Sequence, residues 1–252
     1  MAKLRRELLL REMDLSPVWR LRGPDTDSAQ GSEAVSPDAL QPTAAMTAGR
    51  AAGASGAAAP DERTARILGM DWGTLKTAVA QCQACPLSKT RTNAVFGVGD
   101  EAADWLIVGE APGAEEDARG EPFVGQAGRL LDNMLASIGL KRNANVYIAN
   151  VLKCRPPGNR NPDPVEVAQC SPHLQRQIEL IRPKLIVAMG RFAAQTLLDT
   201  DATIASLRGK LHRYRGVPLI VSYHPAYLLR SLPEKAKAWE DLCFARRTMA
   251  GL

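Results

Sequence analysis

Four short runs of consecutive apolar residues, each bounded by turn-forming residues, recur along the C-terminal part of the chain. They cover residues 105–108, 146–149, 185–189 and 219–221. Around these runs, apolar residues recur at helical spacing. The predicted helices cover residues 63–81, 126–138, 164–181, 191–198 and 234–249. Strands that alternate with helices indicate a mostly parallel sheet covered on both faces. We therefore predict an α/β fold, a three-layer sandwich with a central four-stranded sheet flanked by helices.

The N-terminal part of the chain lacks this alternation. Residues 3–13 predict a short helix with leucines on one side, within an amphipathic segment that covers residues 1–22. Residues 23–60 are rich in Ala, Gly and Pro, and few large side chains there could offset the entropy of ordering the segment. We therefore predict a disordered N-terminal extension with a flexible linker, followed by one folded domain over residues 61–252.

The composition narrows the function only slightly. Of 252 residues, 45% are hydrophobic, which is enough for one good core. Lys and Arg number 32 against 27 Asp and Glu, an excess that suits a nucleic-acid partner without requiring one. No apolar run approaches the ~20 residues that span a bilayer, and charged residues interrupt the N-terminal leucines, which argues against a secretory signal. We expect a cytoplasmic monomer whose five cysteines stay reduced and serve a metal or catalysis.

Polar residues follow the predicted strands at the edge where a parallel sheet binds its ligands. Glu110 comes directly after the first strand, Asn150 closes the second, and His224 follows the fourth. The segments expected to meet on one rim are residues 109–113, 150–157 and 222–230. A carboxylate in this position suits chemistry, but Glu110 taken alone could equally be a helix cap.

Cys82 and Cys85 form a Cys-x-x-Cys pair, which places two thiolates within reach of one metal centre. Cys154 follows after 68 residues and Cys170 after 15 more. Four thiolates suit zinc or an iron–sulfur cluster, and the spacing does not distinguish the two. The alternative is that Cys154 and Cys170 are buried apolar residues, although a polar, proline-rich loop is a poor place for a core thiol. Cys243, in the last helix, is expected to be a packed core thiol.

Four motifs, in this order, carry a family resemblance. They are GEAPGAEED at residues 109–117, PFVGQAG at 122–128, NVLKCRPP at 150–157 and HPAYLLR at 224–230. With the four cysteines, they resemble family 4 of the uracil-DNA glycosylase superfamily, the iron–sulfur class, over about residues 63–250. The resemblance implies an enzyme that flips uracil out of DNA and hydrolyses its N-glycosidic bond, which initiates base excision repair. It also implies a 4Fe-4S cluster on the cysteines, expected to brace a loop rather than to take part in hydrolysis.

The resemblance assigns roles around the expected uracil pocket. Phe123 resembles the aromatic residue that stacks on the base, and Asn150 resembles the amide that reads its edge. Glu110 resembles the carboxylate that positions water or stabilises the sugar cation, and His224 the donor to uracil O2. The other substrate-binding positions implied are Ala111, Glu116 and Asn159. Structural alternatives are a core aromatic, a turn-forming Asn, a loop His and, for Glu116, a helix N-terminal acid.

Basic residues of the loop after Asn150 are expected to face DNA phosphates, although a solvated basic loop would have the same sequence. They are Lys153, Arg155 and Arg160. The segment from Tyr227 to Arg230 should enter or brace the minor groove that the base has left, with Leu228 or Leu229 as an apolar wedge. For each Leu, packing on the sheet is nearly as good an explanation.

Two other functions compete with uracil excision. One is a superfamily relative with broader specificity for deaminated bases. Glu110 argues against the branch that lacks this carboxylate, and a loop over residues 154–164 without His argues against the branch that traps DNA covalently. The other is a non-catalytic iron–sulfur adaptor that binds DNA or a replication partner. An intact set of expected site residues argues against an adaptor, namely Glu110, Phe123, Asn150 and His224.

A separate prediction concerns residues 1–22. They are similar to the N-terminal peptide of the psi subunit of the bacterial clamp loader, which docks on the chi subunit. A short amphipathic helix with a Trp, tethered by a linker, would serve as a partner-binding segment for chi. The alternative is a tail that packs on its own domain.

Overall fold

The computed structural model describes residues 61–252, so the predicted linker and chi-binding segment lie outside the described residues. The described part contains nine α-helices and six β-strands. The helices are α1 (Glu62–Leu68), α2 (Trp72–Ala80), α3 (Ala114–Arg119), α4 (Gln126–Ser137), α5 (Pro164–Ile181), α6 (Arg191–Leu198), α7 (Ile204–Leu207), α8 (Pro225–Arg230) and α9 (Glu234–Ala250). The strands are β1 (Val98–Gly99), β2 (Trp105–Gly109), β3 (Val146–Asn150), β4 (Leu185–Met189), β5 (His212–Tyr214) and β6 (Val217–Ser222).

The sheet has the strand order β1-β3-β2-β4-β6-β5. Its four central strands are parallel and correspond to the four predicted apolar runs. β1 and β5 add an antiparallel strand at each edge. The predicted fold class is confirmed, but the count of four strands is wrong. The edge strands are two and three residues long and partly exposed, so no apolar run marks them.

Helices cover both faces of the sheet, because side chains of the buried central strands alternate between the two faces. On one face, Ile107 of β2 belongs to a core with Leu131 of α4 and Leu242 of α9. On the other face, Leu106 of β2 belongs to a core with Ile178 of α5. Each of the two helical layers therefore has its own apolar core against the sheet, and the sheet with these two layers makes the three predicted layers. Within residues 61–252, no helix combines the length and apolar character needed to cross a bilayer.

The predicted helix over residues 63–81 is two helices, and this boundary prediction is wrong. The break falls after Gly69, and the Asp71 carboxylate accepts the backbone N–H of Thr74 at 2.8 Å to begin α2. Trp72 then packs edge-on against Phe96, with ring centroids 5.4 Å apart. Both helices contact α5, and the cysteine pair that follows α2 lines a pocket together with Cys170 of α5.

Candidate active site and cysteine centre

A cavity of about 710 Å³ opens at the C-terminal edge of the parallel strands. The loops that follow β2, β3, β4 and β6 all line it, as expected for ligand sites in parallel sheets. The predicted site residues in its wall are Glu110, Ala111, Glu116, Phe123, Asn150, Asn159, Arg160, His224, Tyr227 and Arg230. Three segments distant in sequence therefore do meet on one rim.

Phe123 forms the aromatic part of the cavity wall. Its ring stacks on the imidazole of His224, with ring centroids 5.3 Å apart and an angle of 27° between the planes. Gly109 makes room for this arrangement, since a Cβ there would lie 2.6 Å from the Phe123 ring and 2.4 Å from the side-chain oxygen of Asn150. A Cβ on Gly128 would lie 1.8 Å from the Phe123 carbonyl oxygen. Gly109 therefore lets the Phe123 ring and the Asn150 side-chain amide meet at the end of β2, and Gly128 lets α4 approach the Phe123 carbonyl.

Glu116 ties two loops of the site together. Its carboxylate accepts the backbone N–H of Gly113 at 3.1 Å and those of Val124 and Gly125 at 3.1 and 3.4 Å. The carboxylate therefore connects the start of α3 to the turn that carries Phe123. The two alternatives predicted for Glu116 are both present. Glu116 lies in the first turn of α3, as a helix N-terminal acid does, and it also lines the cavity.

Asn150 is the last residue of β3 and is only 2% exposed. Its side-chain amide makes no hydrogen bond to any other residue in the described range and faces the cavity, so it is available to a ligand. Its backbone carbonyl accepts from the Lys153 ammonium at 2.8 Å, and the same ammonium donates to Gln177 at 2.6 Å. Gln177 in turn donates to the Phe96 carbonyl at 2.9 Å. A buried polar chain therefore fixes the backbone beneath the amide.

The prediction that Lys153 faces DNA phosphates is wrong. Its side chain is only 2% exposed and lies beneath the loop rather than on it. Burial lowers the pKa of its ammonium to about 8. A basic residue in a proline-rich loop gave no sign of this placement, because one acceptor is the backbone carbonyl of Asn150 and the other is Gln177 of α5, 24 residues away in sequence.

His224 is the residue before α8, and its Nδ1 accepts the backbone N–H of Ala226 at 3.1 Å. Burial lowers the pKa of its imidazole to about 4. The Glu116 carboxylate raises this pKa in part, and the positive charge of Arg230 lowers it. The ring is therefore neutral at physiological pH. Because Nδ1 is the acceptor, the single proton resides on Nε2, which can donate to a ligand in the cavity.

Glu110 is half-buried in the cavity wall directly after β2. Burial raises the pKa of its carboxyl to about 7, and the nearby Arg191 opposes the rise. Its backbone is fixed, since its carbonyl accepts the N–H of Leu152 at 3.0 Å. A carboxyl with a pKa near neutrality can exchange a proton with water during a reaction.

The segment predicted to contact DNA divides into buried and exposed residues. Leu228 is only 1% exposed and belongs to the core, so the prediction that Leu228 contacts DNA as an apolar wedge is wrong. Leu229 and Tyr227 are each 39% exposed, and Leu229 is the remaining wedge candidate. The Tyr227 ring stacks on Tyr223, with centroids 5.2 Å apart. Arg230 is exposed at the cavity mouth.

The arginines of the loop after β3 make local contacts. Arg155 lies outside the cavity wall and donates to the Asn159 side chain at 2.7 Å. Arg160 forms a two-point ion pair with the buried Glu166 and donates at 3.0 Å to one oxygen of its carboxylate. Both remain at the surface, where a phosphate could reach them.

A second pocket lies between the end of α2, the loop after β3, and α5. Four cysteines line it: Cys82, Cys85, Cys154 and Cys170. Three N–H donors point at their sulfur atoms. Arg91 donates to Cys154 at 2.9 Å, the backbone N–H of Lys153 to Cys170 at 3.3 Å, and Arg63 to Cys82 at 3.8 Å. The cysteines of the described range are all free thiols. Cys243 is half-buried in α9, away from this pocket.

The chemistry of this pocket fits a thiolate-bound metal centre. Four thiols share it with Arg91 and the buried Lys153, whose charges suit thiolates. The buried Nδ1 atom of His173, in the same pocket, has no hydrogen-bond partner in residues 61–252. No group of three or more His, Cys, Asp or Glu side chains in that range is arranged for a single metal ion.

Sequence reasoning missed the loop after β4. Gly190, Arg191 and Phe192 line the cavity, with the Arg191 guanidinium 4.6 Å above the Phe192 ring. Gly190 has a φ of +92°, and a Cβ there would lie 2.9 Å from the Cβ of His224. The signal was present, because a Gly-Arg pair follows the third predicted strand at the same edge as the other site residues.

A family model for the uracil DNA glycosylase superfamily matches residues 96–243, which include the cavity and two of the four cysteines of the second pocket, Cys154 and Cys170. The chain is 54% identical over 159 residues to the type-4 uracil-DNA glycosylase of Archaeoglobus fulgidus, covering 60% of this chain and 79% of that protein. It is 41% identical over 181 residues to that of Pyrobaculum aerophilum, covering 69% and 92%. It is 45% identical over 176 residues to that of Sulfurisphaera tokodaii, covering 66% and 79%. The chain belongs to the uracil-DNA glycosylase superfamily, in its family 4.

Proposed function

We propose that the protein hydrolyses the bond between uracil and deoxyribose in DNA and leaves an abasic site. The observation that carries this function is the convergence of Glu110, Phe123, Asn150 and His224 on one cavity. An aromatic face, an amide with no hydrogen-bond partner among residues 61–252, a neutral imidazole donor and a carboxyl with a raised pKa are the parts that excision of a flipped base requires.

Asn150 supplies the discrimination between uracil and cytosine. Its amide can donate to uracil O4 and accept from uracil N3–H. Cytosine presents a donor and an acceptor in the opposite places, so the same amide would meet two mismatched groups. Because Asn150 is 2% exposed, a mismatch would leave buried polar groups unpaired, which is strongly unfavourable. Phe123 provides the stacking surface for the base.

His224 and Glu110 supply the chemistry. As the C1′–N1 bond breaks, its electron pair leaves with uracil, and the Nε2–H of His224 donates to uracil O2 where negative charge grows. Ionised Glu110 stabilises the positive charge on the sugar and orients a water molecule. The water oxygen bonds to C1′, its proton passes to Glu110, and the uracil anion takes a proton from solvent.

Contacts with DNA would come from the residues at the cavity mouth. Arg155, Arg160 and Arg230 are candidates for phosphate contacts, and Tyr227 with Leu229 for the apolar contact where the base has left. The expected cytoplasmic location, the monomeric state and the chi-binding segment stay predictions, and DNA is the partner that the site supports.

The pocket of Cys82, Cys85, Cys154 and Cys170 is proposed to hold a 4Fe-4S cluster. When bound, the cluster supplies a cross-link between the end of α2, the loop after Asn150, and α5. The backbone N–H of Lys153 donates to the Cys170 sulfur, and its ammonium donates to the Asn150 carbonyl. Lys153 therefore connects the cysteine pocket to the residue proposed to recognise the base. Iron and sulfide analysis of protein purified without oxygen tests the assignment, and bound zinc with no sulfide would refute it.

Excision of uracil from an oligonucleotide tests the function, with Glu110→Gln as the matched variant. The wild-type protein should give abasic product, and the variant should give far less at equal DNA affinity. Oligonucleotides with other deaminated bases distinguish uracil specificity from the broader specificity of a superfamily relative. No abasic product at equimolar protein, with DNA binding intact, would favour the non-catalytic adaptor.

A further inference from the structure

The backbone turn that carries Phe123 is held by two side chains of opposite charge. On one side, the Glu116 carboxylate accepts the N–H groups of Val124 and Gly125. On the other side, the Arg142 guanidinium donates to the carbonyl of Pro122 at 3.0 Å and to that of Phe123 at 2.8 Å. The Glu116 carboxylate thus accepts the backbone N–H groups of the two residues after Phe123. The Arg142 guanidinium donates to the carbonyls of Phe123 and of the residue before it.

Arg142 is itself fixed in place. It belongs to the loop between α4 and β3, and its Nε donates to Asp132 of α4 at 2.9 Å. Its side chain is 19% exposed. All three nitrogen atoms of the planar guanidinium are therefore used, two on the turn and one on α4. A lysine ammonium in this place could not present the same fixed pair of parallel donors.

The turn needs such support because of its backbone conformation. Phe123 has a φ of +54°, in the left-handed region that bulky side chains rarely adopt. Such conformations persist only where the surroundings over-determine them, and they concentrate at functional sites. The conformation brings the ring against Gly109 and into its stack with His224. Release of the carbonyls would let the backbone relax and carry the ring away from the cavity.

We propose that Arg142 is a positioning residue for base binding, which acts by holding the Phe123 ring in the orientation that stacks on uracil. This inference rests on the proposed function. Arg142 does not line the cavity and touches no reacting atom. Its effect on excision passes through Phe123, and that dependence separates it from a residue that only stabilises the fold.

The test uses the full-length protein with Arg142→Gln, Arg142→Lys, Phe123→Ala and the double variant Phe123→Ala/Arg142→Gln. Arg129→Gln is the matched control, an exposed arginine of α4 outside the site. Single-turnover excision of uracil from a single-stranded oligonucleotide is measured well below each variant's Tm. We expect Arg142→Gln to lose about 10- to 100-fold in rate, Arg142→Lys to lose less, and Arg129→Gln to match wild type.

The double variant carries the decisive comparison. If Arg142 acts through Phe123, the double variant excises no more slowly than Phe123→Ala alone, and inhibition by free uracil weakens in Arg142→Gln while affinity for uracil-free DNA is unchanged. Multiplied losses in the double variant, or wild-type excision by Arg142→Gln, would overturn the inference. If Arg142→Gln does not fold, Arg142→Lys replaces it. The rates of Arg142→Lys, Phe123→Ala and the double variant Phe123→Ala/Arg142→Lys are then compared by the same criteria. Wild-type protein without abasic product would instead refute the proposed function itself.

Discussion

Replacement of Glu110 by Gln should make the protein more stable while it abolishes most of its activity. Burial raises the pKa of the Glu110 carboxyl from 4.5 to about 7. The folded state therefore holds this proton more tightly than the unfolded chain does, and ionisation in the folded state is unfavourable. At about 1.4 kcal/mol per pKa unit, the full rise corresponds to roughly 3 kcal/mol. Because the carboxyl lies at an open cavity, we expect about 1 to 3 kcal/mol of that stability to return in Glu110→Gln.

The pH dependence distinguishes this cause from a packing effect. Below the unfolded pKa the carboxyl is protonated in both states, and the two proteins should be equally stable. As pH rises from about 4.5 to 7, wild type loses stability through Glu110 and the variant does not, so the gap opens and is complete above about pH 7. Urea unfolding of both proteins across this range measures the gap. An equal difference at every pH, or a less stable variant above pH 7, would refute the argument.

Three further predictions concern other parts of the site. Asn150→Asp should relax discrimination against cytosine, because the side chain loses its donor group; the ratio of excision rates on uracil and cytosine measures this, and an unchanged ratio would refute the reader role. Leu228→Ala should lower the free energy of unfolding by about 2 to 5 kcal/mol. Leu229→Ala should leave stability nearly unchanged and weaken binding to abasic DNA. The reverse pattern would contradict the assignment of Leu228 to the core and of Leu229 to the DNA contact. Arg230→Gln should weaken DNA binding and reduce the slope of log affinity against log salt by about 0.7 on single strands, because Arg230 is a candidate phosphate contact at the cavity mouth; exposed Arg246→Gln is the control that should not change the slope.

The parts of the fold that the sequence predicts best are those fixed by local patterns. The bounds of α5 and α6 and of β4 follow directly from helical spacing and from a buried apolar run. The edge strands were missed because they bury too little to show a pattern. The helix over residues 63–81 was divided by the cap at Asp71, whose carboxylate starts a second helix.

The candidate site shows the same limit. Residues that end strands, such as Glu110 and Asn150, could be placed on one rim because parallel strands bring their ends together. Side chains that act through tertiary contacts could not. Lys153 looks like a surface cation, but it is buried and donates to Gln177 of α5. Arg142 gives no sequence sign that its donors reach the carbonyls of the Phe123 turn.

The most direct test of the central claim is a cleavage assay on an oligonucleotide with one uracil, using purified full-length protein at equimolar ratio. Alkali treatment cuts the DNA wherever an abasic site has formed. The site geometry predicts a cut at the uracil position, no cut in a matched oligonucleotide with cytosine, and little product with Glu110→Gln. Absence of a cut at uracil by folded, DNA-binding protein would contradict the claim that this cavity excises uracil.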